Sequence, residues 1–224
     1  MVNTDRTQQK YLRYMLQVCR DKNMLKSGRT NEYIHDIPMS KHKLPKNFIR
    51  MCPWEAEYVF RVAQLAKHNV VEIGRMMGGS TMLLAGATSH KIKSIDIANT
   101  PGAKKKMNKL RSYIKDFGID NIDLYIADSQ KTPLADGRFK YDVVFIDGDH
   151  SYEGVLADMK NWWDNLEPGG HYVFHDCWAP RYEIGRAICD FIQDKDIIMH
   201  VPPIRNGKYF LHPFGSICHF QKKK

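Results

Sequence analysis

The segment VVEIGRMMGGST (70–81) carries an acid, Glu72, and then the glycines Gly74 and Gly78 between an apolar run and Ser80, a residue type that caps helices. Glycine lets a backbone pass close to a ligand because it has no Cβ. The spacing ExGxxxGGS differs from the GxGxxG of dinucleotide sites, and a carboxylate there repels a pyrophosphate but suits a cationic ligand. A glycine turn without a ligand is the plain alternative.

Two further acids end the next two apolar runs, Asp96 in IKSIDIA and Asp128, followed by Ser129, in IDLYIADS. A carboxylate at the position of Asp96 can accept hydrogen bonds from two ribose hydroxyls, and one at Asp128 can meet an adenine amino group. A turn or capping aspartate is the alternative for Asp96. Acids at three strand ends favour S-adenosylmethionine (SAM), which carries an ammonium and a sulfonium, over a pyrophosphate cofactor.

Alternating strands and helices must position these acids. β-Branched runs occur at NVVEIG, KIKSIDIA, IDLYIAD, YDVVFIDGD and HYVFHD, and helical patterns lie at 80–88, 102–117 and 151–165. This alternation predicts an α/β fold with a mainly parallel sheet and helices on both faces. We expect a further helix near 181–193, a strand near 196–201, and an antiparallel, edge-forming strand within KYFLHPFGSICHF.

The first fifty residues differ from the rest. They predict one amphipathic helix, followed by a polar, lid-like stretch, and we therefore separate an extension (1–50) from a domain (51–224). The helix has an apolar stripe at Tyr11, Leu12, Met15, Leu16 and Cys19. Pro53 opens the next helix, whose predicted apolar stripe is Trp54, Tyr58, Val62, Leu65 and Ala66.

Composition bounds the class of protein. The 224 residues are 43% hydrophobic, which suits one globular domain. No apolar run reaches the roughly 18–20 residues of a membrane span, and the N-terminus lacks a signal peptide pattern, so we expect a cytoplasmic chain. The five cysteines are scattered, which predicts reduced thiols. The net charge of +9 leaves nucleic acid open as a partner, but no aromatic residues interleave with the lysines of 104–109.

The runs VVEIGRMMGGST, IKSIDIA and YDVVFIDGDHSYEGVLADMKNWWDNLEPGGHYVFHD resemble the class I SAM-dependent methyltransferases. Within that class they look most like the branch of macrocin-type sugar O-methyltransferases and catechol-type O-methyltransferases. The resemblance covers roughly residues 51–220. It implies a Rossmann-like sheet and methylation of a hydroxyl on a sugar, a glycan or another small molecule.

The resemblance also implies individual roles. The residues expected around SAM are Glu72, Gly74, Gly78 and Ser80 at its methionine end, Asp96 at its ribose, and Asp128 with Ser129 at its adenine. Asp147, His175 and Asp176 match the positions that bind a divalent ion, magnesium or manganese, in metal-dependent members. His150 matches the general base of the sugar-modifying relatives.

These roles make chemical sense. A hydroxyl is a poor nucleophile until its proton is removed or its oxygen is bound to a cation. Histidine titrates near working pH and can take that proton, and two carboxylates can hold a hard cation. A His-Asp pair suits manganese or iron better than magnesium, and Cys177 stands where catechol-type enzymes have an amide ligand. Metal dependence therefore stays open, and Asp149 is expected to cap the helix that begins at Ser151.

Other functions compete with this one. The charge allows an RNA methyltransferase, although IDGDH stands where base-methylating enzymes often carry an Asp/Asn-Pro-Pro-aromatic motif. A non-catalytic SAM-binding protein is a further alternative, whereas a hydrolase would need a nucleophile elbow, GxSxG, which the sequence lacks. Trp54, Trp178 and Tyr182 are candidates for contact with the acceptor. The identity of the acceptor and the oligomeric state, a homo-oligomer included, are open because acceptor loops vary.

Overall fold

The computed structural model describes residues 6–17, 44–45, 47–99, 102–131, 139–177, 182–201 and 216–224. Its helices are α1 (Arg6–Gln17), α2 (Pro53–Ala63), α3 (Gly79–Ala87), α4 (Ala103–Asp116), α5 (Tyr152–Trp163) and α6 (Ile184–Phe191), the last followed by a 3₁₀ turn, Ile192–Asp194. Its strands are β1 (Asn69–Ile73), β2 (Ile92–Asp96), β3 (Ile122–Ile126), β4 (Tyr141–Ile146), β5 (Leu166–Phe174), β6 (Ile197–Val201) and β7 (Cys218–Lys222).

The strands form one sheet in the order β3-β2-β1-β4-β5-β7-β6. The first five strands of this order pair in parallel, and β7 pairs antiparallel with both of its neighbours. The predicted mainly parallel, Rossmann-like sheet with an antiparallel C-terminal strand is therefore confirmed. The expected edge position of β7 is wrong, because β7 forms ladders on both sides and leaves β6 at the edge. Pro213 and Gly215, which suggested an edge, lie outside the described residues.

Helices cover both faces of the sheet, and each face has its own apolar cluster. One cluster joins α1, α2 and α3 to the sheet, and the other joins α5 and α6 to the opposite face. Every residue of β4 is buried, which explains why the strands read as continuous apolar runs. Trp162 lies fully inside the second cluster, as core packing rather than as part of a binding site.

The predicted apolar stripe of α2 is confirmed in part, and Pro53 does begin the helix. Val62 is buried, and Tyr58 and Ala66 pack against the core, but Trp54 and Leu65 are 42% and 41% exposed. The buried side is formed by smaller residues among aromatic ones, Ala56, Val59, Phe60 and Ala63. The spacing of the largest apolar residues misled the prediction, because alanine lets a helix approach the sheet more closely than tryptophan does.

The N-terminal helix α1 packs into the same core as the domain. Leu12 and Met15 are buried, and the Tyr11 hydroxyl donates a 2.6 Å hydrogen bond to the Met82 carbonyl of α3. Cys19, the last residue of the predicted stripe, lies outside the described residues. Among the helices that the structure describes, we find none with the length and apolar character needed to cross a membrane.

The glycine turn after β1 is shaped by a close approach of two backbones. Gly74 has a φ of +88°, and a Cβ built on it would lie 2.1 Å from the carbonyl oxygen of Asp147 at the end of β4. Only glycine fits both the left-handed conformation and this distance. The motif thereby holds the ends of β1 and β4 together.

We predict that Gly74→Ala lowers the free energy of unfolding by at least about 2 kcal/mol, since backbone strain and a steric clash add up. Chemical denaturation measures this loss. Gly118→Ala is the matched control, because Gly118 also has a positive φ (+64°) but nothing lies within 4 Å of its added Cβ. Equal losses in the two variants would contradict the close approach.

Candidate active site

A cavity of about 830 Å³ opens at the carboxyl ends of the parallel strands. This is the edge at which open α/β sheets bind ligands, and the volume is that of a cofactor site. The predicted site residues that line it are Gly74, Ser80, Asp96, Asp128, Ser129, Asp147, His150, His175 and Asp176. Asp149 and Tyr182 line it as well.

Glu72, which was expected at the methionine end of SAM, is not among the residues that line the cavity. Its side chain is fully buried, and its carboxylate accepts hydrogen bonds from the hydroxyls of Ser80, Thr81 and Ser94. Burial raises the pKa of Glu72, against the lowering by these hydroxyls. Its carboxylate therefore stabilises the packing of the start of α3 against β1 and β2.

Arg75, which the sequence reasoning missed, lies beside Glu72 and is only 4% exposed. Its guanidinium donates to the carbonyl oxygens of Ser94 and Tyr125, at 2.6 and 3.2 Å. Burial lowers the pKa of Arg75, whereas the charges of Glu72 and Asp96 raise it. Arg75 thus offsets the charge by which Glu72 was expected to attract a cationic ligand.

The start of α3 also differs from its prediction. The N-cap is Gly78, at a φ of +86°, and not Ser80, which lies in the first turn with its hydroxyl on Glu72. A Cβ on Gly78 would lie 2.4 Å from the Leu110 side chain, so this glycine serves helix packing and does not line the cavity.

Asp96 lies at the end of β2 and faces the cavity, as predicted. Its carboxylate accepts hydrogen bonds from the backbone amides of Arg75 (2.9 Å), Met76 (2.8 Å) and Ala98 (2.6 Å). A carboxylate has about four acceptor positions, so Asp96 can hold the glycine turn and still accept from a ligand hydroxyl. Next to it, the apolar side chain of Ile97 is 52% exposed.

Asp128 and Ser129 follow β3 at the neighbouring part of the cavity. The Lys131 ammonium, 2.9 Å from Asp128, lowers the pKa of that carboxyl. Ser129 donates a 2.7 Å hydrogen bond to Oδ1 of Asp158, a residue that is 1% exposed and that sequence reasoning missed. Burial raises the pKa of Asp158 to about 7, and its second carboxylate oxygen has no hydrogen-bond partner in the part of the chain that the structure describes.

The acceptor end of the cavity is built from Asp147, His150 and Asp176. The Nε2 atom of His150 lies 3.5 Å from Asp147 Oδ1 and 3.7 Å from Asp176 Oδ2, and it has no hydrogen-bond partner among the described residues. These three residues form one of the groups, among the described residues, whose ligand atoms lie within 4.8 Å of one another. The Tyr182 ring stacks on the His150 ring, with centroids 4.3 Å apart.

His175 sits behind this group and carries a positive charge. Its Nδ1 lies 3.3 Å from Asp147 Oδ1, and its Nε2 lies 3.4 Å from Oε2 of Glu55, a buried acid of α2 that sequence reasoning missed. These carboxylates, together with Asp176, raise the pKa of His175 well above its ordinary value, although burial opposes them. By distance, and among the described residues, His150 and not His175 completes the geometric set with Asp147 and Asp176.

The charge of His175 acts back on the carboxylates. Burial alone raises the pKa of Asp147, but His175 and His150 lower it to about 2. Glu55 accepts hydrogen bonds from the backbone amides of Cys52 (2.8 Å) and Ser216 (2.5 Å), and its pKa also falls, against burial, chiefly through His175. The carboxylates of Glu55, Asp147 and Asp176 surround the single imidazolium of His175, so the acceptor end is negatively charged.

The prediction that Asp149 caps the helix is wrong, because Asp149 lies two residues before the N-cap of α5. Its Oδ1 accepts a 2.9 Å hydrogen bond from the Ser151 amide. Ser151 is itself the N-cap of α5, because its hydroxyl accepts from the Gly154 amide at 3.1 Å. Asp149 thereby fixes the turn that presents His150.

Known proteins share this fold. A family model described as a methyltransferase domain matches residues 71–177. The uncharacterized protein R132 of Acanthamoeba polyphaga mimivirus is 32% identical over 157 residues, which are 66% of this chain and 65% of R132. The O-methyltransferase NovP superposes with a TM-score of 0.62 at 13% identity, covering 97% of this chain and 100% of NovP. The SAH-bound methyltransferase PaMTH1 of Podospora anserina has a TM-score of 0.58 at 16% identity, covering 83% and 85%.

These similarities define the fold. It is that of the Rossmann-like class I methyltransferases, and the family model matches from Val71 in β1 through the glycine turn to Cys177. The match covers 65% of the length of R132.

The buried Asp158 generates a pH prediction. Its pKa in the folded chain is about 7, against an ordinary value of 3.8, so between about pH 4 and pH 7 the folded state holds a proton that the unfolded state releases. The free energy of unfolding of the wild type therefore falls as the pH rises through this range. Asp158→Asn cannot ionise and should escape this fall, gaining on the order of 2–4 kcal/mol relative to wild type from pH 4 to pH 7.

Urea denaturation across this pH range measures the difference. Asp164→Asn, on an exposed residue just beyond the end of α5, is the control and should follow the wild type. Parallel pH curves for Asp158→Asn and wild type would contradict the raised pKa.

Proposed function

We propose that this protein is a SAM-dependent methyltransferase that methylates a hydroxyl of a sugar, a glycan or another small molecule. One observation carries the proposal. A single cavity joins the glycine turn and the acids Asp96 and Asp128 to the group Asp147, His150 and Asp176. A methyl donor bound at the first part and a hydroxyl bound at the second can therefore meet in one enclosed space.

The donor end suits SAM in shape and charge. The turn at Gly74 brings backbone to the cavity wall, and Asp96 has acceptor capacity left for a ribose hydroxyl. Ile97, exposed beside Asp96, offers an apolar surface to adenine, and Asp128 offers an acceptor to its amino group. The surplus of carboxylates at the acceptor end favours the sulfonium.

At the acceptor end, His150 takes the proton of the hydroxyl at Nε2. The hydroxyl oxygen forms a bond to the methyl carbon, the carbon–sulfur bond breaks, and its electron pair stays on sulfur, which leaves S-adenosylhomocysteine. The proton then lies between Asp147 and Asp176, whose charges stabilise the imidazolium. Stacking on Tyr182 holds the ring in place for this transfer.

The same group also fits a divalent cation, because His150 Nε2 is a buried atom without a hydrogen-bond partner between two carboxylates. Asp147, Asp176 and His150 would hold it, and manganese suits this mixed donor set better than magnesium. When bound, a cation would lower the pKa of an acceptor hydroxyl. In that case His150 serves as a ligand and not as the base.

An RNA acceptor is the second candidate. It draws on the net charge of +9 and on Lys104 and Lys105, which are exposed in the first turn of α4. Solved structures of this fold include the O-methyltransferase NovP and an rRNA methylase of Streptococcus thermophilus, so the fold does not select the acceptor. The sequence FIDGDHS and the His150 group favour the hydroxyl.

The donor assignment predicts that Asp96→Ala weakens SAM binding by about 1–3 kcal/mol, the loss expected for charge-assisted hydrogen bonds. Calorimetric titration with SAM measures this. Because Asp96 also holds the glycine turn, the melting temperature is recorded alongside, and Asp123→Ala, on a partly exposed acid of β3, is the control. Unchanged affinity in a folded Asp96→Ala protein would exclude the ribose contact.

The acceptor assignment predicts that His150→Ala binds SAM nearly normally but turns over about 10²–10⁴-fold more slowly, the usual effect of losing a general base. Candidate sugar, phenol and RNA acceptors are assayed for SAH release, with His68→Ala as the control. Wild-type turnover in His150→Ala would show that His150 does not activate the hydroxyl.

Chelation separates the two roles of His150. If His150 is the base, wild-type activity survives exhaustive chelation and the low-pH limb of the rate profile changes in the variant. If it is a ligand, chelation abolishes activity, manganese restores it, and His150→Ala loses the bound ion.

A further inference from the structure

We propose that His171, His200 and His219 form a second metal site, which binds a zinc-like divalent ion and ties the three C-terminal strands of the sheet together. The three residues lie on β5, β6 and β7, and their ligand nitrogens are all within 4.8 Å of one another. The site is separate from the methyl-transfer chemistry, and it does not depend on the proposed function.

The spacing is close to that of ligands on one ion. His171 Nδ1 and His219 Nε2 lie 3.0 Å apart. Two nitrogens bound at zinc distances of about 2.0–2.1 Å with tetrahedral angles are about 3.3–3.4 Å apart, so a small outward movement of the two rings admits the ion. Three imidazoles with one open position suit zinc, cobalt or copper, and exclude calcium and magnesium, which need oxygen ligands.

The sheet brings the three histidines together through its register. On β5 and β7, His171 pairs with Gln221, and His219 pairs with Val173, so both side chains lie on the same face. On β6, Ile198 pairs with Gln221, so alternation along the strand places His200 on the same face as the other two histidines. The pairing becomes irregular only between Met199 and Val201.

Neighbouring side chains orient the rings, as they do around established metal ligands. The Tyr58 hydroxyl of α2 lies 2.7 Å from Nδ1 of His219, which leaves the Nε2 of that ring for the ion. The Gln221 Oε1 atom lies 3.1 Å from Nε2 of His200. His171 and His219 are 8% and 3% exposed, and burial lowers the pKa of both, so both rings are in the neutral form that binds metals.

The position allows access without touching the candidate active site. His200 is exposed on the edge strand, so an ion can enter from solvent. His171 stands four residues before His175 on the same chain, a distance of about 13 Å along an extended strand. The alternative is a hydrogen-bonded histidine pair with His200 stacked on it, at a centroid distance of 4.5 Å from His219.

The test uses the full chain with Asp147→Asn and Asp176→Asn, which removes the carboxylates of the other candidate metal group. This parent protein is titrated with Co²⁺, followed by visible absorption, and with Zn²⁺, followed by calorimetry and melting temperature. We expect one equivalent of each ion, a four-coordinate cobalt spectrum, and a melting temperature that rises with zinc concentration.

Three variants of this parent locate the site. His200→Ala, on an exposed residue, should still fold and should lose at least about 100-fold in affinity, because it removes a ligand. Tyr58→Phe, which removes only an orienting hydroxyl, should lose about 10–100-fold. His90→Ala, on a partly exposed histidine outside the group, should match the parent.

Either of two results overturns the proposal. The parent protein binds no equivalent of Zn²⁺ or Co²⁺, or His200→Ala binds them as tightly as the parent does. Circular dichroism of each variant confirms that a loss of binding is not a loss of fold.

Discussion

The candidate active site depends on the buried positive charge of His175. This imidazolium lies between Glu55 on α2, Asp147 after β4 and Asp176 after β5, so one charge connects three parts of the chain. Glu55 in turn accepts hydrogen bonds from the Ser216 amide and hydroxyl before β7. Without the imidazolium, buried carboxylates would face one another uncompensated, which is costly in a low-dielectric interior.

At the donor end of the cavity, buried ionisable side chains likewise connect several elements. Glu72 and Arg75 are both buried, and their hydrogen bonds join β1, β2, β3 and α3. Neither side chain has to contact a ligand to support the site. Together they fix the glycine turn, whose backbone amides donate hydrogen bonds to Asp96. At both ends buried ionisable side chains hydrogen-bond to neighbouring elements, and a different carboxylate faces the cavity.

The sequence predicts what depends on local pattern. Strand-like runs with acids at their ends foretold the parallel sheet and the placement of Asp96, Asp128 and Asp147 at one edge, since parallel strands end on the same side. The four predicted helices from 80 to 193 match the structure to within three residues at each end.

The predictions fail where the role of a side chain is decided by a contact with a residue far away in the sequence. The sequence predicts that Glu72 faces a ligand. In the structure its carboxylate instead accepts a hydrogen bond from the hydroxyl of Ser94, which lies 22 residues later. Glu55 follows Pro53 in CPWEAE, which signals only a helix start, and its partner His175 lies 120 residues later. The charge of His175 depends on its contacts with Glu55 and Asp147, so the sequence alone could not distinguish a metal ligand from an imidazolium.

The fixed charge also explains how one pocket could serve the proposed reaction before and after methyl transfer. The reaction moves a positive charge from the sulfonium to His150, and both positions lie at the same surplus of carboxylates. If the pocket held this surplus of carboxylates without a compensating positive charge, its acids would tend to take up protons, because neighbouring carboxylates raise one another's pKa. His175, together with His150, prevents this by keeping the pKa of Asp147 at about 2, so the carboxylate stays ionised at any pH at which the enzyme would work. The imidazolium therefore need not touch either substrate to matter, since it maintains the negative charge that both of them meet.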